Sequence, residues 1–192
     1  SFENAIKKLI SKNKSIQKKL LNIEEKLKIS KNLNWQDRSM FEEILKEKQQ
    51  LENAIYELSQ KMKELNQQED KFNDKNPELQ KKAEQLKELI SNVLDKKTKK
   101  LFDELEQLLQ ENKNVQEIQK KLSNITSKEK SVEQELNRAL ELFRRLKLEN
   151  DLDQAQKAIK KLSQNQQKLY TETMNNEFSL DEIKIQQNNI SK

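Results

Sequence analysis

Leucine and isoleucine recur along this chain at alternating steps of four and three residues. This spacing persists through about 170 of its 192 residues. A four-three repeat keeps apolar side chains on one stripe of an α-helix, and such stripes are the seams by which helices pair in coiled coils. The spacing therefore predicts an all-α fold, in which elongated antiparallel helical hairpins form a coiled-coil bundle.

Composition supports helices with narrow seams. The apolar fraction is 32%, whereas globular domains usually hold about 45–50%. The chain has no glycine and one proline, and the tight turns of β-hairpins and α/β folds are hard to build without glycine. Composition alone also allows disorder, but the persistent four-three spacing favours ordered helices.

Polar gaps between the seams predict six helices and a tail. Asn34 with Asp37 resembles a capping box, Pro77 suits a first helical position, and Thr126 with Glu129 fits a second capping box. The register slips near residues 95–100, where we favour a break or kink, and again near 148–150. The short links predict antiparallel neighbours. The predicted helices cover residues 2–29, 35–73, 77–94, 98–111, 114–125 and 127–174, and residues 176–192 are predicted to be a flexible polar tail.

Missing residue types exclude most chemistry. The chain has no histidine, no cysteine and no glycine, so it has no thiol nucleophile, no imidazole base, no zinc finger and no glycine-rich phosphate loop. Carboxylates on exposed helix faces are usually solvated charges. We therefore expect no enzymatic activity, no cofactor, no bound metal and no small-molecule ligand.

Three polar residues, Asn13, Lys48 and Glu69, interrupt otherwise apolar seams. They either fix register and oligomeric state as buried polar residues, or leave the seam open for a partner helix. In the first case Asn13→Leu should raise the melting temperature. Trp35 follows the predicted cap, and we expect it to pack across the turn between the first two helices or to anchor a partner.

The net positive charge of the chain comes from its first predicted helix. Residues 1–32 hold nine lysines and three glutamates. These lysines are either a solvated face or a surface for an anionic membrane, a nucleic acid or an acidic partner. Only four arginines and few aromatic residues accompany them, so we expect no specific nucleic-acid binding and at most weak contact with anionic membranes. The candidate basic face comprises Lys7, Lys8, Lys12, Lys14, Lys18 and Lys19.

Four stretches together resemble a known group of proteins: Asn34-Trp35-Gln36-Asp37, Leu101-Phe102-Asp103-Glu104-Leu105, the run from Glu135 to Phe143, and Leu152-Asp153-Gln154-Ala155. The chain resembles, over about residues 30–175, the central coiled-coil region of large bacterial proteins from Bacteroidetes. Those proteins are anchored in the membrane at their N-terminus and have no assigned activity. The resemblance implies a cell-envelope setting, on the periplasmic side of the inner membrane, and carries no site residues.

The leading functional hypothesis is a scaffold segment that docks partner helices. We expect it to be part of a longer protein, because it begins at Ser1-Phe2 already in helical pattern. Other proteins are the expected partners, and a second copy of the chain is a further one. The alternatives are a holdase-type chaperone with basic helical arms and a coiled coil associated with nucleic acid.

Overall fold

The structure, a computed structural model, describes residues 1–30, 32–70, 77–93, 96–110, 114–174 and 180–190. Inside the helices, the side chains of residues 65–70, 96–98, 180–183 and 186 lie outside this description. The described ranges hold helices and no strand, which confirms the all-α prediction. The helices are α1 (Phe2–Ile29), α2 (Trp35–Asp70), α3 (Pro77–Val93), α4 (Lys96–Gln110), α5 (Val115–Met174) and α6 (Leu180–Ile190).

The chain divides into two compact units, Ser1–Leu146 and Lys147–Lys192. The first unit holds α1 to α4 and the first part of α5, and its apolar seams form one core. In α1 the predicted four-three positions are buried because they share one face of the helix. Each fully buried leucine or isoleucine stabilises such a fold by about 1.5–3 kcal/mol. The buried apolar residues of α1 are Ile6, Leu9, Ile10, Ile16, Leu20, Ile23 and Leu27.

Ion pairs between helices show that α1 runs antiparallel to α2 and to α5. Along α1 and α2, Lys19 Nζ lies 2.7 Å from Glu43 Oε1, whereas Lys26 Nζ lies 3.7 Å from Asp37 Oδ1. Along α1 and α5, Glu3 lies 3.0 Å from Arg144, whereas Lys14 lies 3.6 Å from Glu133. The helices α3 and α4 both contact α2. These contacts confirm the prediction of antiparallel hairpins.

The first residues of α2 confirm the capping prediction. The Asn34 backbone N–H donates to Asp37 Oδ2 at 3.1 Å, and the Asp37 backbone N–H donates to Asn34 Oδ1 at 2.8 Å. This reciprocal pair satisfies two backbone donors that a helix start leaves without intrahelical partners. The link between α1 and α2 therefore ends where the sequence places it.

The predicted break between residues 125 and 127 is wrong, because α5 runs through it without interruption. The Thr126 hydroxyl donates to the carbonyl oxygen of Leu122 at 2.9 Å, as a threonine inside a helix does, and does not cap a helix start. No proline or glycine stands here to stop the helix. Glu129 is not a capping residue but a buried seam residue of α5.

Other boundaries agree more closely with the prediction. The structure has α3 end at Val93 and α4 begin at Lys96, two residues before the predicted start at residue 98. Residues 94 and 95, next to the favoured break near 95–100, lie outside the described residues. The slip near 148–150 is not a break, since α5 continues to Met174. The predicted end of the second helix, residues 71–73, lies outside the described residues. The predicted flexible polar tail, residues 176–192, contains the helix α6 from Leu180 to Ile190, so the prediction of a flexible tail is wrong for this part.

Candidate functional site

A layer of buried polar side chains crosses the core of the first unit. Asn13 of α1, Lys48 of α2 and Glu129 of α5 are 0%, 4% and 0% exposed. Asn13 Nδ2 donates to Glu129 Oε2 at 2.6 Å, and Lys48 Nζ donates to Glu129 Oε1 at 2.5 Å. Both carboxylate oxygens of Glu129 are therefore bonded, each by a different helix.

Two further contacts complete this polar layer. Gln17 Nε2 lies 2.6 Å from Asn13 Oδ1 and 2.7 Å from Glu133 Oε2, so it joins the layer to the half-buried edge of α5. Lys48 Nζ lies 5.4 Å from the centre of the Phe102 ring in α4, within the range of a cation–π contact. Side chains from α1, α2, α4 and α5 thus meet at one level of the bundle.

Burial governs the protonation of Glu129. Removal from water raises the pKa of its carboxyl above the ordinary value of 4.5, and the nearby Glu52 carboxylate acts in the same direction. The charge and hydrogen bond of Lys48 and the hydrogen bond of Asn13 lower the pKa without offsetting the effect of burial. A buried ion pair of this kind ties helices to one register, because a shifted pairing would leave a charge without a partner.

The structure decides between the two interpretations of Asn13 and Lys48. Both are buried inside the bundle, so neither leaves an open seam for a partner helix, and the partner-binding interpretation of these two residues is wrong. The buried interpretation holds for their location, but Asn13 also belongs to a hydrogen-bonded network, which changes the expected effect of its replacement. The third predicted seam residue, Glu69, has its side chain outside the described residues.

Trp35 does not pack across the turn between α1 and α2, as the sequence predicted. Its side chain is 79% exposed, and the neighbouring Leu33 packs against the core instead. The capping pair fixes Trp35 as the first residue of α2, where it contributes nothing to the core. Its alternative role as an anchor for a partner stays a prediction.

Half of the predicted basic face serves contacts between and within helices. Lys7 pairs with Glu3 at 3.0 Å, Lys14 with Glu133 at 3.6 Å, and Lys19 with Glu43 at 2.7 Å and Glu47 at 2.6 Å. The hydrogen bonds from Lys19 to the two glutamates raise its pKa. The other three lysines, Lys8, Lys12 and Lys18, are exposed.

The four-three spacing predicts a seam of Leu152, Ala155, Ile159, Leu162 and Leu169 after the slip near residues 148–150, and most of this seam is exposed in the second unit. Within α5, Leu148, Leu152, Ile159 and Leu162 are 61%, 56%, 66% and 46% exposed. Ala155, also exposed, completes their four-three spacing. We call these five residues the α5 stripe. Of the predicted seam of this segment, only Leu169 is buried, at 4% exposed.

The surroundings of the α5 stripe leave it uncovered. Every residue from 154 to 168 is exposed, so no side chain of this stretch is buried against another described element. The second unit has one further described helix, α6, of 11 residues. A contact that joins α5 to α6 lies beyond the stripe, where Gln166 Nε2 and Gln187 Oε1 are 3.3 Å apart. The second unit thus presents a helix whose apolar stripe is exposed.

Sequence reasoning missed Glu129 and the exposure of the α5 stripe, although a signal for each was present. Counting four residues from Ile125 and three back from Val132 places position 129 on the seam. The register slip near residues 148–150 marks the place where the buried seam of α5 ends. Both signals concern the position of a residue within the four-three repeat, and a list of the apolar residues alone does not show that position.

Other parts of the described chain give weaker evidence for a functional site. A groove of about 440 Å³ between α4 and α5 is bridged by an ion pair of Lys121 with Glu104, whose pKa Lys121 lowers. Among the described residues, no group of three acidic side chains is arranged to hold a metal ion. None of the described helices combines the length and apolar character that a bilayer span needs.

Comparison with known proteins gives no family for this chain. No family model, no curated protein and no solved structure matches it. The resemblance to membrane-anchored proteins of Bacteroidetes therefore stays a prediction, and function has to be argued from the surfaces of the molecule.

Proposed function

We propose that this chain is a non-catalytic protein-interaction segment, which holds a partner helix on the α5 stripe while the first unit serves as a stable scaffold. The observation that carries the proposal is the burial pattern of the stripe. Four large aliphatic side chains at four-three spacing are each 46–66% exposed. Single exposed apolar residues are ordinary on protein surfaces, but a continuous apolar stripe marks a binding surface.

The width of the stripe favours a helix as the partner. Two residues in every seven are apolar, and such a strict seam is the pattern of a coiled coil. A holdase needs a broader and more adaptable apolar surface, because unfolded clients present no regular spacing.

Helix stability supports the same proposal. An isolated helix of about 12–15 residues is marginal in water, and most helices in proteins are stabilised by packing of their apolar face. The stretch from residue 154 to residue 168 has no such packing. A partner helix along the α5 stripe would supply it, with up to about 1.5–3 kcal/mol for each aliphatic side chain that becomes fully buried.

The resemblance adds a cell-envelope setting, in which a stiff scaffold would hold its partner helix at a fixed distance from the membrane. This part of the proposal depends on the resemblance alone. The lysines of α1 that face solvent, Lys8, Lys12 and Lys18, supply at most a weak and salt-screened attraction to anionic lipid.

Affinity capture after mild cross-linking in the native cells tests the proposal with three forms of the chain. The wild type should recover one dominant protein in near-stoichiometric amount, and the double variant Leu152→Gln/Ile159→Gln should not recover it. Gln164→Ala, on the opposite side of α5, is the matched control and should retain it. Recovery that is equal with all three forms would contradict docking on the stripe. Many unfolded clients would indicate a holdase, and nuclease-sensitive recovery would indicate a nucleic-acid partner.

A further inference from the structure

The α5 stripe is one part of a longer seam, and α6 lies on the other part. From Leu148 the alternating steps of four and three continue without a slip along the stripe and on to Gln166, Leu169 and Thr173. Gln166 Nε2 lies 3.3 Å from Gln187 Oε1 of α6. Leu169 is buried and Thr173 is half-buried. The same seam is therefore covered at its C-terminal end and open along the stripe.

The helix α6 runs antiparallel to α5. Met174 is the last residue of α5, and Leu180 is the first residue of α6. Gln166 lies about 12 Å before the end of α5, and Gln187 lies about 11 Å after the start of α6, at ~1.5 Å per residue. Because the side chains of these two glutamines meet, α6 turns back along α5.

The open part of the seam begins where α6 ends. Ile190 is the last residue of α6. It lies three residues beyond Gln187, and in an antiparallel pair this places it beside residue 163 of α5. Leu162, the stripe residue nearest to that point, is 46% exposed, whereas Ile159 is 66% exposed. The line that α6 follows along α5 thus continues over the α5 stripe.

The dimensions of the stripe specify the helix that would close it. From Leu148 to Leu162 the stripe is about 21 Å long at ~1.5 Å per residue, which about four turns of a second helix would cover. Aliphatic side chains at four-three spacing would match its layers. Ala155 is the small member of the stripe, so its layer has room for a bulky side chain of the partner helix.

The end of α6 favours one direction for that helix. The C-terminal end of a helix carries a partial negative charge, and the N-terminal end carries a partial positive charge. A helix antiparallel to α5 and in line with α6 would bring its N-terminal end to the C-terminal end of α6, so that opposite charges meet. In the parallel direction two C-terminal ends would meet, and their like charges would repel.

We propose that an amphipathic partner helix of about four turns docks antiparallel to α5 and in line with α6, and closes the part of the seam that α6 leaves open. This inference rests on the proposed function and adds the direction and position of the partner helix. The observation that carries it is the continuity of one seam, in which α6 already lies over residues 166–173.

A helical extension of the chain tests whether the stripe accepts a helix in this direction. In the first extended form, about 16 residues after Lys192, or about four turns, continue the spacing of positions 180, 183, 187 and 190 with leucine. In the second extended form, the matched control, the same leucines fall on the opposite side of the helix. Amide exchange in residues 148–162 should slow by more than about 10-fold in the first form and should be unchanged in the second.

The stripe itself is tested within the first extended form. Leu152→Gln with Ile159→Gln should restore fast exchange, and Gln164→Ala, on the opposite side of α5, should leave exchange slow. Circular dichroism of each form shows whether the extension is helical. Equal exchange in the two extended forms, with both extensions helical, would overturn the antiparallel closure.

Cross-linking to the captured partner tests the direction without any extension. The chain has no cysteine, so Asp151→Cys and Ser163→Cys each carry one photo-cross-linker, about 18 Å apart along α5. Partner residues joined through Ser163→Cys should lie nearer the N-terminal end of the partner helix than those joined through Asp151→Cys. The reverse order would overturn the antiparallel direction.

Failure of this inference is distinct from failure of the proposed function. If capture depends on the α5 stripe but the cross-links show the reverse order, the proposed function stands and the direction is wrong. If capture does not depend on the stripe, the proposed function is wrong. In that case the inference about its partner is wrong as well, whatever the extension shows.

Discussion

The first and second halves of α5 carry the same four-three spacing and differ in what covers it. In the first half, Ile118, Leu122 and Leu136 are at most 1% exposed, packed in the core of the first unit. In the second half, Leu148, Leu152 and Ile159 are 56–66% exposed. One helix therefore contains a seam that the chain itself closes and a seam that it leaves open.

This difference separates two pieces of information that a heptad repeat is often taken to supply together. The repeat specifies an α-helix and the side of it that is apolar, since both follow from 3.6 residues per turn. Whether that side is covered depends on another element of matching length. The first unit supplies such elements in α1 and α4, whereas the second unit supplies α6, whose described contact lies beyond the stripe.

Truncation of one leucine in each half should give the largest contrast. Leu122→Ala creates a cavity in the core and should lower the free energy of unfolding by about 2–5 kcal/mol. Leu152→Ala removes an exposed side chain and should change it by less than about 0.5 kcal/mol. Urea unfolding followed by circular dichroism, at a concentration that keeps the chain monomeric, measures both. Equal losses would mean that the second half of α5 is packed as firmly as the first.

Replacing Asn13 in the polar layer of the first unit should have the next largest effect on the free energy of unfolding. Asn13→Leu leaves one carboxylate oxygen of the buried Glu129 without its partner and removes one of the two hydrogen bonds of the Gln17 amide, which should cost about 1–3 kcal/mol. This reverses the expectation from sequence that Asn13→Leu raises the melting temperature. Asn22→Leu, the same change on the exposed face of α1, is the control and should be close to neutral. A higher melting temperature for Asn13→Leu would show that the network contributes no net stability.

Protonation of Glu129 should give the smallest effect, and its direction is specific. Because the pKa of Glu129 is raised in the folded chain, this carboxyl stabilises the fold fully below its unfolded pKa and loses that contribution as pH rises through the folded pKa. The free energy of unfolding of the wild type, relative to Glu129→Gln, should therefore fall as pH rises from the unfolded pKa through the raised pKa of the folded chain.

Glu104→Gln is the control of opposite sign. Lys121 lowers the pKa of Glu104 in the folded chain, so this carboxyl stabilises the fold above its unfolded pKa and loses that contribution as pH falls through the folded pKa. The wild type should gain stability relative to Glu104→Gln as pH rises. Equal slopes for Glu129→Gln and Glu104→Gln would contradict the burial of Glu129 as the cause of its shift.

Local sequence signals predicted much of the first unit. The ends of α1, the start of α2 and the start of α3 follow from short-range chemistry, and the Asn34–Asp37 cap forms as the sequence indicates. The seam of α1 was predictable because one helix face accounts for it. Such features depend on residues a few positions apart, which the sequence displays directly.

Features that depend on distant residues were not predictable. Thr126 and Glu129 match a capping box locally, but Asn13 and Lys48, more than 80 positions away, bind Glu129 inside a continuous helix. Trp35 has the side chain of a core residue, and its exposure follows from the exact start of α2. The exposure of the α5 stripe depends on whether another element packs beside it, which no spacing within α5 reports.

Hydrogen exchange along α5 tests the central claim most directly. In the monomer, backbone amides between Ile118 and Ala139 should exchange slowly, because a packed core must open first, and amides between residues 154 and 168 should exchange fast. Addition of the partner recovered by affinity capture should slow exchange in the second segment alone, and the double variant Leu152→Gln/Ile159→Gln should abolish that change. Equal and strong protection of both segments in the monomer would contradict the account, since the α5 stripe would then be covered by the chain itself.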